Sequence, residues 1–269
     1  MKIKVSAIQM ISRDDKVENL ERAEKFIKIA AEKGANIISF PELFCTKWFP
    51  CEINKENFNL AESKDGLIIK RMKMISKKYD VLLTIPFFEK YRKKYYNSCA
   101  VIDKGKLLGI YRKVHVPNIP LYEESFYFSW GREFPVFETR FGKIGIQICW
   151  DNFFPEGYRI LALKGAKLVI TPTASAFKTQ KRWKVVIASH ALLNNIFILR
   201  VNRTGKEKFQ EFYGNSFLVG PDGSFIGETL GFNEGIFIST CDLTETDRMR
   251  KIFTFIEGRR PEIYKDLLL

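Results

Sequence analysis

Three side chains suited to acyl transfer, Cys149, Glu42 and Lys113, each follow an apolar segment that is typical of a β-strand. A thiol can act as a nucleophile, a carboxylate as a base and an ammonium group as a partner for developing negative charge. In open α/β sheets, reactive groups gather beyond the carboxyl ends of the strands. We therefore expect these side chains to meet at the ends of the strands predicted over residues 35–40, 107–111 and 143–148.

Cys149 has the most informative surroundings. The sequence Cys149-Trp150-Asp151 lies between a predicted strand and a helix with Pro155 near its first turn, an order similar to a nucleophile elbow. Backbone N–H groups and the positive end of the helix dipole lower a thiol pKa and can stabilise an oxyanion. The sequence therefore predicts a reactive Cys149.

Taken singly, each of these residues also has a structural explanation. Cys149 could be a small buried apolar residue, Glu42 a helix cap and Lys113 one of many surface lysines. A thiol nucleophile also commonly takes its base from histidine, which brings His115 and His190 into consideration. Spacing alone leaves a Cys–His pair and a Cys–Glu–Lys set both open.

The elements that must position these residues alternate between strand and helix along the whole chain. Asp14 or Asp15 can cap a first helix that Gly34 ends. Hairpins are predicted around residues 103–106 and 221–223, so the sheets should be mixed. Without an internal repeat or linker, residues 1–269 are expected to form one α/β domain. The apolar positions predicted for the buried face of the first helix are Val17, Leu20, Ala23, Ile27 and Ala30.

Composition limits the function classes. The net charge of +13 raises nucleic acid or an anionic membrane as partners, but the lysines are scattered and no nucleic-acid motif accompanies them. The chain begins without the apolar run of a signal peptide and has no stretch of 18 apolar residues, which predicts a cytoplasmic protein without a membrane span. Five cysteines and two histidines fit no zinc pattern, so free thiols and no metal are expected.

Three segments together resemble the signature segments of the nitrilase superfamily, the carbon–nitrogen hydrolases. They occur in the family's order and at similar separations, and the resemblance extends over nearly the whole chain. The three segments are Phe40-Pro41-Glu42-Leu43-Phe44, Tyr111-Arg112-Lys113-Val114-His115-Val116-Pro117 and Ile148-Cys149-Trp150-Asp151-Asn152-Phe153-Phe154-Pro155-Glu156.

This resemblance implies a four-layer α-β-β-α sandwich and a Glu–Lys–Cys triad that needs no metal or organic cofactor. Cys149 would attack an amide, carbamoyl or nitrile carbon, Glu42 would act as general base and Lys113 would stabilise the oxyanion. Glu124 matches the second glutamate that many members hold beside the triad, and His115 matches a residue of the pocket wall. The resemblance also implies homodimers or higher homo-oligomers.

Within the superfamily, the segments around Cys149 are most similar to N-carbamoylputrescine amidases and related N-carbamoyl hydrolases. Trp150 and Phe153 are expected to line a partly flat pocket, with Lys178 facing either an anionic substrate group or solvent. Amide or N-carbamoyl hydrolysis with ammonia release is therefore the predicted activity. A true nitrilase and a non-catalytic basic binding protein on the same fold are the alternatives. The other aromatic residues suggested for the pocket are Trp48, Phe126 and Phe177.

Overall fold

The computed structural model describes residues 1–268, in which strands and helices alternate. The strands are β1 Lys2–Gln9, β2 Ile37–Ser39, β3 Leu82–Tyr91, β4 Lys94–Asp103, β5 Lys106–Arg112, β6 Val136–Thr139, β7 Gly142–Ile146, β8 Leu168–Thr173, β9 Phe197–Asn202, β10 Thr204–Lys206, β11 Glu211–Tyr213, β12 Phe217–Val219, β13 Phe225–Ile226 and β14 Gly235–Asp242. The α-helices are α1 Lys16–Glu32, α2 Leu67–Tyr79, α3 Glu124–Tyr127, α4 Pro155–Leu163, α5 Gln180–Asn194 and α6 Thr244–Ile252. Short 3-10 helices span Phe49–Cys51, Lys55–Leu60, Cys149–Phe153, Phe177–Thr179 and Pro261–Leu268.

Two six-stranded sheets form the centre of the molecule. Their strand orders are β14-β1-β2-β3-β4-β5 and β13-β12-β9-β8-β7-β6. Within the first sheet β2 and β3 are parallel, while β4 is antiparallel to both β3 and β5. Strands β2 and β5 therefore run in the same direction, and their carboxyl ends lie at the same edge. In the second sheet β7, β8 and β9 are mutually parallel.

Apolar side chains pack the sheets against each other and against the outer helices. The alternation of β1 places Val5 and Ala7 in the core between the sheets and Ile8 in the layer beneath α1 and α2. On the far side, Leu161 of α4 and Ile187 of α5 cover the second sheet. These layers make the predicted four-layer α-β-β-α sandwich, which is confirmed.

The first helix begins as predicted and buries four of its five predicted apolar positions, Leu20, Ala23, Ile27 and Ala30. The Asp15 carboxylate accepts hydrogen bonds from the backbone N–H groups of Val17 and Glu18 and so caps α1. The prediction that Val17 is buried was wrong, because this residue is 44% exposed. Asn19 is buried instead. Its side-chain oxygen accepts from the backbone N–H of Arg13, and its Nδ2 atom donates to the backbone carbonyl of Arg13, so the buried amide is paired.

Other predicted segments differ from the observed elements mainly at their ends. Strand β7 stops at Ile146, and Cys149 begins a 3-10 helix rather than the α-helix that starts at Pro155. Strand β14 was not predicted, although its whole length pairs antiparallel with β1. None of the helices in residues 1–268 is both long and apolar enough to cross a membrane.

Candidate active site

Lys113, Glu42 and Glu124 form one buried ion cluster. Lys113 follows β5 directly, Glu42 lies in the loop after β2, and Glu124 is the first residue of α3. The Lys113 Nζ atom is 2.8 Å from Glu42 Oε1 and 2.7 Å from Glu124 Oε2. All three side chains are 0% exposed. One ammonium group is therefore shared by two carboxylates out of contact with water.

The neighbouring residue Glu123 takes no part in this cluster. Its carboxylate accepts a hydrogen bond from the backbone N–H of Leu121 at 3.3 Å, whereas both oxygens of Glu124 accept from Lys113. Of the two adjacent glutamates, Glu124 is therefore the one placed beside the lysine.

Asn97, a residue that the sequence analysis did not single out, connects the two carboxylates. Its Nδ2 atom donates to Glu42 Oε1 at 2.7 Å and to Glu124 Oε2 at 3.4 Å. Its backbone carbonyl also accepts from the N–H of Lys113 at 2.9 Å. The sequence feature that could have identified Asn97 is its amide side chain inside the apolar strand β4. A buried polar group of this kind needs hydrogen-bond partners.

The cluster shifts the pKa values of its members. Burial alone would lower the pKa of Lys113, but the carboxylates of Glu124 and Glu42 outweigh burial and raise it. Burial and the nearby charge of Glu42 raise the pKa of Glu124 to about 8, although Lys113 and Asn97 oppose the shift. Near neutral pH, Lys113 is thus charged and Glu124 is mostly protonated.

This raised pKa predicts how stability should change with pH. The folded state favours protonated Glu124, so its contribution to stability is full below the unfolded pKa of about 4.3 and is lost as the pH rises through about 8. A Glu124→Gln variant cannot ionise there. We expect its free energy of unfolding relative to the wild type to rise by roughly 2 to 4 kcal/mol between about pH 5 and pH 8, measured by urea denaturation. Glu123→Gln is the control, and a pH-independent difference for Glu124→Gln would contradict the prediction.

Cys149 lies at a sharp turn after β7. Its φ of 44° is in the left-handed region, where non-glycine residues are strained, and its side chain is 5% exposed. Burial and the charge of Glu42 raise the pKa of the thiol well above its ordinary value, against an opposite effect of Lys113. The expectation of a lowered thiol pKa was therefore wrong, because desolvation dominates over the lysine and the short 3-10 helix.

A protonated resting thiol needs a base within the site. The Oε2 atom of Glu42 is buried and has no hydrogen-bond partner among the described residues, while Oε1 is held by Lys113 and Asn97. The charge of Glu42 also acts on the Cys149 thiol. The arrangement therefore supplies a carboxylate oxygen that is free to accept a proton.

Asp151 organises the turn that carries Cys149. Its Oδ2 atom accepts from the Tyr111 hydroxyl at 2.7 Å and from the Ile148 N–H at 3.0 Å. Its Oδ1 atom accepts from the His115 N–H at 2.8 Å and lies 2.9 Å from the His115 Nδ1 atom. The segment after Lys113 and the turn that carries Cys149 are therefore tied to the same buried carboxylate.

We expect Asp151→Asn to lower the free energy of unfolding by about 3 kcal/mol. The carboxylate accepts four hydrogen bonds, whereas an amide offers one acceptor oxygen and leaves buried donors unpaired. Urea denaturation measures this effect. Tyr111→Phe removes a single one of these bonds and should cost about 1 kcal/mol. Equal losses in the two variants would show that Asp151 does not have this organising role.

Arg203 holds the loop that carries Glu42. Its Nη2 atom donates to the carbonyls of Glu42, Leu43 and Thr46 at 3.3, 3.1 and 2.9 Å. Its Nη1 atom bonds to Glu207 Oε1 at 2.8 Å. The sequence analysis missed this residue, although its position just after the apolar strand β9 was a signal. The second sheet thus fixes a loop that extends from the first.

The structure places the residues predicted for the pocket in different surroundings. Trp150 and Phe153 contact each other next to Cys149, with ring centroids 5.3 Å apart. His115 stacks on Phe154 with centroids 3.7 Å apart. Lys178 belongs to the 3-10 helix Phe177–Thr179, and its side chain lies outside the described part of the structure.

Two of the aromatic residues suggested for the pocket, Trp48 and Phe126, belong to an apolar cluster. Trp48 is 2% exposed, and its ring packs against Tyr122. Tyr122, which the sequence analysis did not single out, donates its hydroxyl to the Ala174 carbonyl at 3.1 Å. Burial and the charges of Cys149 and Glu42 raise its pKa, which places this phenol near the ion cluster. The sequence feature that could have identified Tyr122 is its position two residues before Glu124.

Both histidines have other partners in the described residues. His190 Nε2 lies 2.9 Å from the Asn152 carbonyl, and its ring stacks on Tyr158. His115 is bonded to Asp151. The geometry therefore favours the Cys–Glu–Lys set over a Cys–His pair. Within residues 1–268, no three side chains of the His, Cys, Asp or Glu type are grouped in a way that could hold a metal ion.

Comparisons with known proteins connect the chain to one enzyme family. The sequence model of the carbon–nitrogen hydrolases matches residues 4–251. The chain is 38% identical to an N-carbamoylputrescine amidase of Arabidopsis thaliana, covering 98% of this chain and 94% of the relative. It is 36% identical to a citrullinase of Francisella tularensis, covering 99% and 98%.

A solved structure gives the same assignment for the fold. The crystal structure of a carbon–nitrogen hydrolase from Helicobacter pylori G27 superposes with a TM-score of 0.97 at 30% identity, covering 100% of this chain and 99% of that one. The sandwich described above is therefore the nitrilase fold. The chain belongs to the carbon–nitrogen hydrolase family and is an enzyme of that class.

Proposed function

We propose that this enzyme hydrolyses a linear amide or N-carbamoyl group and releases ammonia through a thioester on Cys149. The observation that carries the proposal is the buried Lys113 ammonium shared by Glu42 and Glu124, with a strained cysteine turn beside it. A carboxylate base alone could serve many reactions. A base, a fixed cation and a thiol in one dry site suit acyl transfer in particular.

In the first half of the reaction, Glu42 takes the thiol proton as the sulfur attacks the carbonyl carbon. Because the thiol is protonated at rest, proton transfer and attack should occur together. Negative charge then develops on the carbonyl oxygen, where the Lys113 ammonium would stabilise it. Collapse of this intermediate breaks the carbon–nitrogen bond, and the proton held by Glu42 leaves with ammonia.

In the second half, water attacks the thioester and Glu42 again acts as base. The carbon–sulfur bond breaks, and the proton on Glu42 returns to the thiolate. An amide substrate then leaves as a carboxylic acid. An N-carbamoyl substrate leaves as a carbamic acid, which loses carbon dioxide to give an amine. Glu124 would keep Lys113 in place during both halves.

The N-carbamoyl class receives support from the relatives that act on such groups by name, the N-carbamoylputrescine amidase and the citrullinase. The substrate's tail is less defined. Asn152 is buried and bonded to Tyr158, Thr171 and the Cys149 carbonyl, so it cannot reach out to bind a substrate carboxylate. The segment 174–178 contains no acidic residue to bind an amine. A small or neutral tail fits these features best.

A panel of small amides, N-carbamoyl amines, N-carbamoyl acids and nitriles tests the proposal. We expect ammonia release to be fastest from an N-carbamoyl amine or a simple amide, and the preferred class identifies the substrate. Preference for a nitrile would instead support the nitrilase alternative. Folded protein that releases no ammonia from any class would overturn the proposal, and salt-dependent retention on nucleic acid would then favour the basic binding protein.

The homo-oligomer expected from the family resemblance is part of the same proposal. Light scattering measures the mass of the assembly in solution. A mass of twice 31.3 kDa or a larger multiple is expected, whereas a mass of 31.3 kDa would contradict it.

A further inference from the structure

The hairpin between β3 and β4 carries a group of cations at its tip. The only acidic residue in the sequence from position 89 to 96 is Glu89. It is 1% exposed and accepts hydrogen bonds from Arg112 at 2.7 and 2.8 Å, so its charge is already compensated. The hairpin therefore presents positive charge that none of its own residues neutralises. The exposed cations of the tip are Lys90, Arg92, Lys93 and Lys94.

Two tyrosine rings lie on one face of this hairpin. Tyr91 pairs with Lys94 across the two strands. Tyr96 lies two residues beyond Lys94 in β4 and therefore on the same face. The Arg112 guanidinium carbon is 4.3 Å from the ring centroid of Tyr91 and 4.5 Å from that of Tyr96. These four side chains therefore form one surface of aromatic rings and cations.

Trp130 lies beside this surface and is 72% exposed. The backbone is fixed on both sides of it. The Ser129 N–H donates to the Tyr95 carbonyl at 2.8 Å, and the Gly131 N–H donates to the Lys113 carbonyl at 2.7 Å. An indole ring in water leaves a large apolar area uncovered, and a partner that covers it gains free energy. The exposed ring is therefore a candidate contact for a partner.

Trp130 and Tyr96 line a recess of about 180 Å³. Arg112 and Arg132 contribute guanidinium groups to its wall, and Glu133 contributes a carboxylate. Aromatic rings stack on a flat ligand, while guanidinium and carboxylate groups form hydrogen bonds with donors and acceptors at its edge. A nucleobase is a flat ring with both kinds of group at its edge, so it suits this recess.

The recess and the tip are close enough to be contacted by one chain of nucleotides. Lys93 lies three residues from Tyr96 along the hairpin, which corresponds to about 10 Å. A base in the recess would therefore place the phosphates of the next nucleotides near the tip. Arg112 and Arg132 come from other segments of the chain, which explains why the positive charge looked scattered in the sequence.

We propose that this surface binds single-stranded nucleic acid, with one base stacked on Trp130 and neighbouring phosphates on the cations of the tip. We call it the hairpin face; it consists of residues 90–96, Arg112, Trp130 and Arg132. Bases in a duplex are already stacked on each other, so a single strand fits better. The binding is separate from hydrolysis and does not rest on the proposed function.

Two other partners fit the hairpin face less well. A flat anionic membrane would meet the cations of the tip but would leave the recess empty. A second copy of the chain that met the same face would place like charges opposite each other. A strand of nucleic acid combines flat rings with negative charge and so complements both parts of the face.

Fluorescence anisotropy of a labelled oligouridylate of about 20 nucleotides measures the binding. Trp130→Ala should weaken it by about tenfold, because the stacked base loses its ring. Trp130→Phe keeps a ring and should bind within about threefold of the wild type. Binding should quench tryptophan fluorescence in the wild type, and Trp130→Phe should lose this quenching while it still binds.

The double variant Lys93→Gln/Lys94→Gln tests the role of charge. Each phosphate contact that is lost should reduce the slope of log affinity against log salt concentration by about 0.7, so this variant should lose about 1.4. The matched control is Lys25→Gln/Lys251→Gln, which removes the same charge from two exposed lysines outside the hairpin face and should keep the slope. Equal changes in both double variants would show diffuse attraction to the net charge and would overturn the proposal.

Other results would also overturn it. The first is wild-type protein that does not bind the oligouridylate, or Trp130→Ala that binds it as tightly as the wild type. The second is binding to vesicles of phosphatidylserine and phosphatidylcholine without binding to the oligouridylate, which would identify a membrane surface. The third is a lower assembly mass of Trp130→Ala in light scattering, which would identify an interface between copies. None of these measurements needs ammonia release, so they are independent of the proposed hydrolase activity.

Discussion

Replacing Cys149 by alanine is expected to lower ammonia release by about 10⁴-fold or more. The thiol would form the covalent intermediate, and an alanine leaves Glu42 with no proton to accept and the carbonyl carbon with no nucleophile. The remaining cluster of Lys113, Glu42 and Glu124 does not include the Cys149 side chain in its hydrogen bonds, so the fold should persist. Ammonia release from the best substrate of the panel, with the melting temperature measured in parallel, checks both expectations.

The matched control is Cys51→Ala, because Cys51 is a free, partly exposed cysteine outside the cluster. This variant should keep activity within about twofold. Cys149→Ser should also be inactive, since a hydroxyl is harder to deprotonate than a thiol. Activity retained in folded Cys149→Ala would rule out the thioester route and would require another nucleophile.

Replacing Lys113 by methionine is expected to damage both catalysis and stability. Methionine has a similar length but no charge, so the buried Glu42 and Glu124 carboxylates lose the cation between them. Removing one partner of a buried ion pair typically costs about 3 to 5 kcal/mol. Loss of the charge that would stabilise the proposed oxyanion should lower kcat by about 10² to 10³-fold. Urea denaturation and initial rates of ammonia release measure the two effects.

A double variant separates these two roles of Lys113. Adding Glu124→Gln to Lys113→Met removes a carboxyl group that ionises only at alkaline pH, so much of the lost stability should return well above pH 8 and little of it near neutral pH. Activity should stay as low as in Lys113→Met alone, because the cation is still missing. Recovery of activity together with stability would show that Lys113 acts only by holding the fold.

The site residues that were predictable from sequence are those whose position is marked by a local sequence pattern. Glu42, Lys113 and Cys149 each follow an apolar strand; β2 and β5 end at the same edge of the first sheet, while Cys149 follows a strand of the second. Asn97 and Arg203 were not predictable in this way. Their roles depend on partners 55 and 161 residues distant along the chain. The spacing of residues in a single sequence does not indicate which distant residues will form hydrogen bonds with each other.

The fold shows the same division. The start of α1 and most of its buried face were predicted, because its cap residue and apolar positions are local signals. Strand β14 was missed, since its position beside β1 depends on a return from the far end of the chain. The thiol pKa was predicted in the wrong direction because burial by distant segments, rather than the adjacent helix, controls it.

The ion cluster and Cys149 come from opposite sheets. Glu42 and Lys113 extend from the first sheet, Cys149 follows a strand of the second, and Arg203 of the second sheet fixes the Glu42 loop. Chemistry should therefore begin only once both sheets have packed together. During synthesis, the first 140 residues already contain Glu42 and Lys113 but not Cys149. A nascent or half-folded chain would thus be inert, and activity would report directly on completed assembly of the sandwich.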